Sequence, residues 1–201
     1  MKFTDLLILL CIALSVYVWN AGNNLGFSGY ALFNGDFYTL LTAIFVHAGP
    51  VHLLGNMLFL YAFGHILEGE VGAFRMGLVF FTGGMLTFIL SIPFYPGANM
   101  VGASAAIFSV MAAVLLTRRP DYSVQFLSPI GPLAIIFLVF NIFAVQNGGT
   151  GNIAYISHII GFVIGLFFGA AWNKDWKKSL FYTLILLAVY IVLYNYLIKI
   201  F

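Results

Sequence analysis

The chain has 201 residues, 63% of them hydrophobic and only 7% charged, with 8 Lys and Arg against 6 Asp and Glu. So few charges cannot clothe a soluble domain, and basic residues that are not clustered on a soluble surface give no reason to expect a nucleic-acid partner. The single cysteine, Cys11, lies in an apolar run, which excludes an internal disulfide and a cysteine metal cluster.

A helix needs about 20 apolar residues to cross the hydrocarbon core of a bilayer. Seven apolar segments fit, centred on 4–20, 51–67, 74–93, 103–117, 130–145, 154–172 and 178–198. They leave no room for a soluble domain. The expected fold is therefore all-α: a polytopic membrane helical bundle forming one domain over 1–201, with a core of six helices (1–172) and an additional C-terminal helix (178–201). Segment 1 lacks a small-x-small cleavage site and is read as retained. With the N-terminus in the cytoplasm and the segments alternating, Lys2, Arg75, Arg118, Arg119, Lys174, Lys177 and Lys178 fall inside, and Lys199 alone falls outside. That bias sets the expected orientation, N-in and C-out.

Segment 1 ends at Trp19 and Asn20. The stretch 21–46 reads as a long outer loop whose Phe27, Tyr30, Phe33, Phe37 and Tyr38 suit the membrane interface. Segment 2 opens with Pro50, which fits a first helical turn, and places His52 and Asn56 one turn apart on one face. His65 lies about 20 Å further along that helix, beside Glu68 and Glu70, and reads as structural. Segment 3 carries Gly83-Gly84 and reads as scaffold. The loop 91–100 then delivers Gly102-Ala103-Ser104 to the start of segment 4, where the first backbone N–H groups lack intrahelical partners and can hold an oxyanion. A helix N-cap is the simpler role for that serine. Segment 4 presents a small face of Ala105, Ala106, Ser109, Ala112 and Ala113. Ser109 is a rival nucleophile, but mid-helix its hydroxyl bonds the preceding turn. Segment 5 leads into a glycine-rich outer loop, 146–152. Segment 6 carries His158 with Gly161, Gly165 and Gly169 at a spacing that admits a second helix closely. Segment 7 shows no chemistry.

Segments 2, 4 and 6 run in the same direction and place His52 with Asn56, Ser104, and His158 near their outer starts. Ionisable groups in membrane segments mark function by default. A serine beside a base is the minimum for nucleophilic catalysis, and small faces on segments 4 and 6 are expected to bring Ser104 to His158. All carboxylates but Asp36 fall on the cytoplasmic side, so the residues favour a Ser–His dyad over a triad. Asn56 and His52 remain as oxyanion donors. There is no His-Glu-x-x-His for zinc, no mid-membrane carboxylate for a proton-coupled carrier and no sign of inverted repeats. Neither a metal nor any other cofactor is expected.

These residues resemble the rhomboid family of intramembrane serine proteases: His47 five residues before His52-x-x-x-Asn56, then Gly102-x-Ser104, then His158-x-x-Gly161-x-x-x-Gly165. The extra segment 7 resembles the family's six-plus-one arrangement. The resemblance implies Ser104 as nucleophile and His158 as general base. It implies Asn56, His52 and the Ser104 amide as the oxyanion hole, with Gly102, Phe108, Gly161 and Gly165 supporting the site. Glu68 matches a structural family glutamate. Partners would be transmembrane protein substrates in the lipid bilayer, cut near their outer ends, in what is expected to be the plasma membrane with the site opening outward. Ala105 stands where members often have glycine, Phe108 where a tyrosine commonly packs under the histidine, and Tyr38-Thr39 where many have Trp-Arg. The alternative function is a catalytically silent rhomboid-like protein that binds membrane helices.

Overall fold

The computed structural model describes residues 1–117 and 155–198; segment 5, its flanking loops, Arg118, Arg119 and Asp121 lie outside the described residues. The described elements are helical: α1 (Phe3–Ala21), α2 (Gly29–Phe33), α3 (Thr39–Phe45), α4 (Pro50–Phe59), a π-helical turn (Leu60–Gly64), α5 (His65–Val71), α6 (Ala73–Ser91), α7 (Ser104–Thr117), α8 (Tyr155–Trp172) and α9 (Trp176–Ile198). The turn joins α4 and α5 without a break, so Pro50–Val71 forms one span. Four described helices are long and apolar enough to cross a membrane: Phe3–Ala21, Pro50–Val71, Ala73–Ser91 and Tyr155–Trp172. The shorter apolar helix Ser104–Thr117 stands among them, and α9 carries the seventh segment.

Which face α1 buries follows largely from its small and polar residues. In α1 the buried positions are Thr4, Leu7, Cys11 and Ser15, a stripe at helical spacing, while Leu6, Leu9, Leu10, Ile12, Val16 and Tyr17 are exposed. Large apolar residues turned outward and small ones inward suit a lipid solvent, where close backbone approach is the main packing device. α7 is buried on nearly every side, from Ala105 through Val114, as befits a central helix. It packs most extensively on α8 and next on α6. The contacts are tight: a Cβ on Gly83 would overlap the Ser109 side chain, and one on Gly165 the Ser109 carbonyl oxygen.

The stretch 21–46 differs from the expected loop. It contains α2, whose N-cap Ser28 accepts from the Ala31 amide, and α3, which buries Thr39, Ala43, Ile44 and Phe45. Tyr30, Phe33, Phe37 and Tyr38 are exposed, but Phe27 is not interfacial. Its backbone pairs with Met100 in both directions, at 2.9 and 2.7 Å, and its ring stacks on Phe88 at 5.4 Å. That pairing fastens the first connection to the loop that delivers Ser104.

Candidate active site

Ser104 is the first residue of α7 and His158 lies in the first turn of α8. His158 Nε2 is 2.8 Å from Ser104 Oγ, a short hydrogen bond between side chains 54 residues apart. The approach follows from the helix crossing. A Cβ on Gly161 would overlap the Ala105 carbonyl, and one on Gly165 the Ser109 carbonyl, so both glycines are needed for α8 to lie this close. Gly169 is looser, meeting Leu116 Cβ at 2.7 Å and Ala113 O at 3.1 Å. The Phe108 ring lies one turn below Ser104 and stacks on the His158 imidazole at 4.7 Å with 9° between planes, so the ring's tilt is set by packing.

Ser109 is buried within the crossing. Its Oγ lies 2.6 Å from Gly161 O and 3.2 Å from Ala105 O. The hydroxyl therefore serves the backbones of α7 and α8. Nearby, Ser91 and Ser157 join α6 to α8 through a 2.7 Å hydroxyl contact.

The donors from segment 2 are arranged less simply. Gly102 has φ +117°, and a Cβ there would come within 2.8 Å of His52 Cε1 and 3.1 Å of Nε2. Only glycine lets the His52 ring lie against this backbone. His52 Nδ1 accepts a long bond from the Ala48 amide, 3.4 Å, which leaves the proton on Nε2, the atom at the Gly102 turn. Asn56 is buried, and its side-chain nitrogen donates 2.8 Å to His52 O in its own helix. One amide hydrogen is thus used locally.

Sequence reasoning noted His47 only for its spacing and passed over Ser15. Both are buried. His47 Nδ1 is 3.1 Å from Ser15 Oγ, and the Ala103 amide donates to His47 Nε2 at 3.3 Å. Burial, with His52 alongside, pushes the His47 pKa down to about 3, so the imidazole is neutral. A serine at mid-span in an otherwise apolar helix was the available signal. Tyr38 is exposed, and Thr39 is buried with its hydroxyl on Asp36 O at 2.6 Å. Of the described carboxylates, Asp5 pairs with His65 at 2.9 Å, Asp175 with Lys178 at 3.7 Å, and Glu68 bonds to Phe3 and Thr4.

The Rhomboid domain family model matches residues 34–175. The chain belongs to the rhomboid family. Among its rhomboid relatives, the Rhomboid protease GluP of Bacillus subtilis is 35% identical over 132 residues, 63% of this chain and 25% of that protein. RHOMBOID-like protein 7 of Arabidopsis thaliana is 40% identical over 78 residues, 39% of this chain and 25% of that protein. The Inactive RHOMBOID-like protein 8 of Arabidopsis thaliana is 27% identical over 109 residues, 54% of this chain and 31% of that protein. The aligned regions thus span a quarter to a third of these relatives, which include both a protease and an inactive protein. With its apolar spans, this rhomboid is a multi-pass membrane protein.

Proposed function

We propose that the chain is an intramembrane serine endopeptidase acting through Ser104 and His158. The observation that carries this reading is the 2.8 Å contact between Ser104 Oγ and His158 Nε2. Ser104 Oγ attacks the scissile carbonyl carbon while His158 Nε2 takes the hydroxyl proton. The oxygen that becomes negative is met by the Ser104 amide at the helix start, by His52 Nε2–H and by the Asn56 amide. Collapse breaks the C–N bond as His158 returns the proton to the leaving nitrogen. Water, deprotonated by His158, then hydrolyses the acyl-enzyme. Phe108 holds the imidazole plane by stacking and supplies no proton.

The substrate class is the transmembrane segment of another membrane protein. Such a helix must unwind locally, because a helical carbonyl is engaged by its own backbone. In this reading 1–201 is one membrane domain with its N-terminus cytoplasmic, and the site opens to the outer side of the plasma membrane. A helix-binding protein without activity is the second reading, and the inactive relative supports it. An intact Ser104–His158 pair argues against it.

The test is reaction of the purified chain with a fluorophosphonate. An adduct on the Ser104 peptide, absent in Ser104→Ala and His158→Ala, is expected. No adduct on folded protein, together with no cleavage of a model transmembrane substrate, would leave the binding reading.

A further inference from the structure

The backbone that carries the nucleophile is held from outside α7. The Gly102 amide donates to Ala43 O at 2.8 Å. The next amide, Ala103, donates to a side chain, His47 Nε2, at 3.3 Å. Since Ala103 N–H is a donor, Nε2 must accept, and the neutral ring carries its proton on Nδ1. Nδ1–H then donates to Ser15 Oγ at 3.1 Å, with the Phe45 backbone a further partner of the ring, and the Ser15 hydroxyl passes its own proton to Phe45 O at 3.2 Å. The four groups point one way, from Ala103 N–H through His47 and Ser15 to a carbonyl, and each donor has an acceptor. His47 is 1% exposed and Ser15 0%, so bulk water does not reach either group. The backbone of His47 is pinned as well, because Trp19 Nε1 donates to its carbonyl at 2.8 Å.

We propose that His47 is a positioning residue: held from behind by Ser15 of α1, it grips the Ala103 amide and fixes the turn from which Ser104 acts. The proposal rests on the reading of Ser104 as nucleophile for its catalytic consequence, but not for the holding of the turn. If His47 only filled space, an apolar ring would serve as well. If it holds the amide, the replacement must accept from Ala103 and donate to Ser15. A glutamine amide can do both; phenylalanine can do neither.

The experiment uses the full chain in detergent, with thermal unfolding to establish folding. Turnover of a model transmembrane substrate is measured beside amide hydrogen exchange of the peptide containing residues 100–106. His47→Phe should speed exchange of the Ala103 amide by about tenfold or more and lower kcat by about 10²-fold with KM within about twofold. Ser15→Ala, which leaves the ring and its Ala103 contact but removes the hydroxyl that accepts from Nδ1–H, should shift both in the same direction by about tenfold. His47→Gln should return both to within about threefold of the parent. Unchanged exchange in a folded His47→Phe or Ser15→Ala protein overturns the proposal, as does an equal kcat loss in His47→Gln and His47→Phe. If His47→Phe does not fold, Ser15→Ala decides by the same two readouts. A parent protein without turnover sinks the protease reading, and the exchange pattern still decides whether His47 holds the turn.

Discussion

Gly161 and Ala105 meet backbone to backbone: a Cβ on Gly161 would run into the Ala105 carbonyl, one residue past Ser104. The depth of His158 beside Ser104 depends on this contact. Gly161→Ala should push α8 away and break the 2.8 Å bond, and a displacement near 1 Å costs about 10²-fold in rate. Gly165→Ala should be worse for stability, about 1–3 kcal/mol, because three backbone atoms of Ser109 lie too close. Gly169→Ala should be mildest. Turnover and thermal unfolding of the three variants check the order; a stable, fully active Gly161→Ala would break the link between crossing and catalysis.

Ser104 and His158 should behave as one unit. Ser104→Ala and His158→Ala are each expected to abolish cleavage while the protein stays folded, and the double variant should be no worse than either. Persistent cleavage by purified Ser104→Ala would remove the assignment. Ser109 is not the natural substitute, since its hydroxyl lies 2.6 Å from the Gly161 carbonyl in the crossing.

Phe108 offers a graded test of ring orientation. Its stacking on His158 at 4.7 Å and 9° is the kind of aromatic pair worth about 0.5–1.5 kcal/mol. Phe108→Leu keeps the buried bulk but loses the flat face, so kcat should fall by about tenfold, the kinetic equivalent of about 1.4 kcal/mol. Phe108→Tyr keeps the stack and should retain activity. Equal kcat in all three proteins would mean that α8 alone sets the imidazole.

Asn56 donates to the His52 carbonyl at 2.8 Å, which anchors its amide. Removing an oxyanion donor lowers kcat by about 10²–10³. Asn56→Ala should therefore reduce kcat far more than it raises KM. A change in thermal midpoint without a kcat effect would reduce Asn56 to a helix-bonding residue.

The four described spans and the helix crossing were legible because both rest on strong rules: the length of an apolar run and the absence of a Cβ. Gly161, Gly165 and Gly169 could be assigned to one face from spacing, and the structure places that face on α7. The interior was less legible. In a membrane chain apolar residues face both lipid and core, so Phe27 read as interfacial although it is 0% exposed. What decides its position is backbone pairing with Met100, a contact between distant loops that leaves no local pattern. The Ser15–His47 contact was hidden for the same reason: 32 residues separate its members.

Glu68 illustrates such a long-range contact with a purely structural consequence. Its carboxylate accepts from Phe3 N at 2.9 Å, Thr4 N at 2.8 Å and Thr4 Oγ1 at 2.6 Å. It therefore caps the start of α1 from the first turn of α5, meeting amides that have no intrahelical partner and the positive end of the helix dipole. Bonds to a charged group contribute about 1.5–3 kcal/mol each in favourable settings, reduced here by partial exposure. Glu68→Gln keeps one carbonyl acceptor but loses the charge and the second acceptor oxygen. We expect it to lower the thermal midpoint, with a stability loss of about 1–2 kcal/mol, while kcat stays near the parent value because Glu68 lies sixteen positions past His52 along one continuous span, about 24 Å of helix. Glu68→Ala should lose more stability in the same sense. A large kcat loss in a Glu68→Gln protein with an unchanged midpoint would show instead that the α1–α5 contact governs the site, and that α1 is tied to catalysis at this end as well as through Ser15.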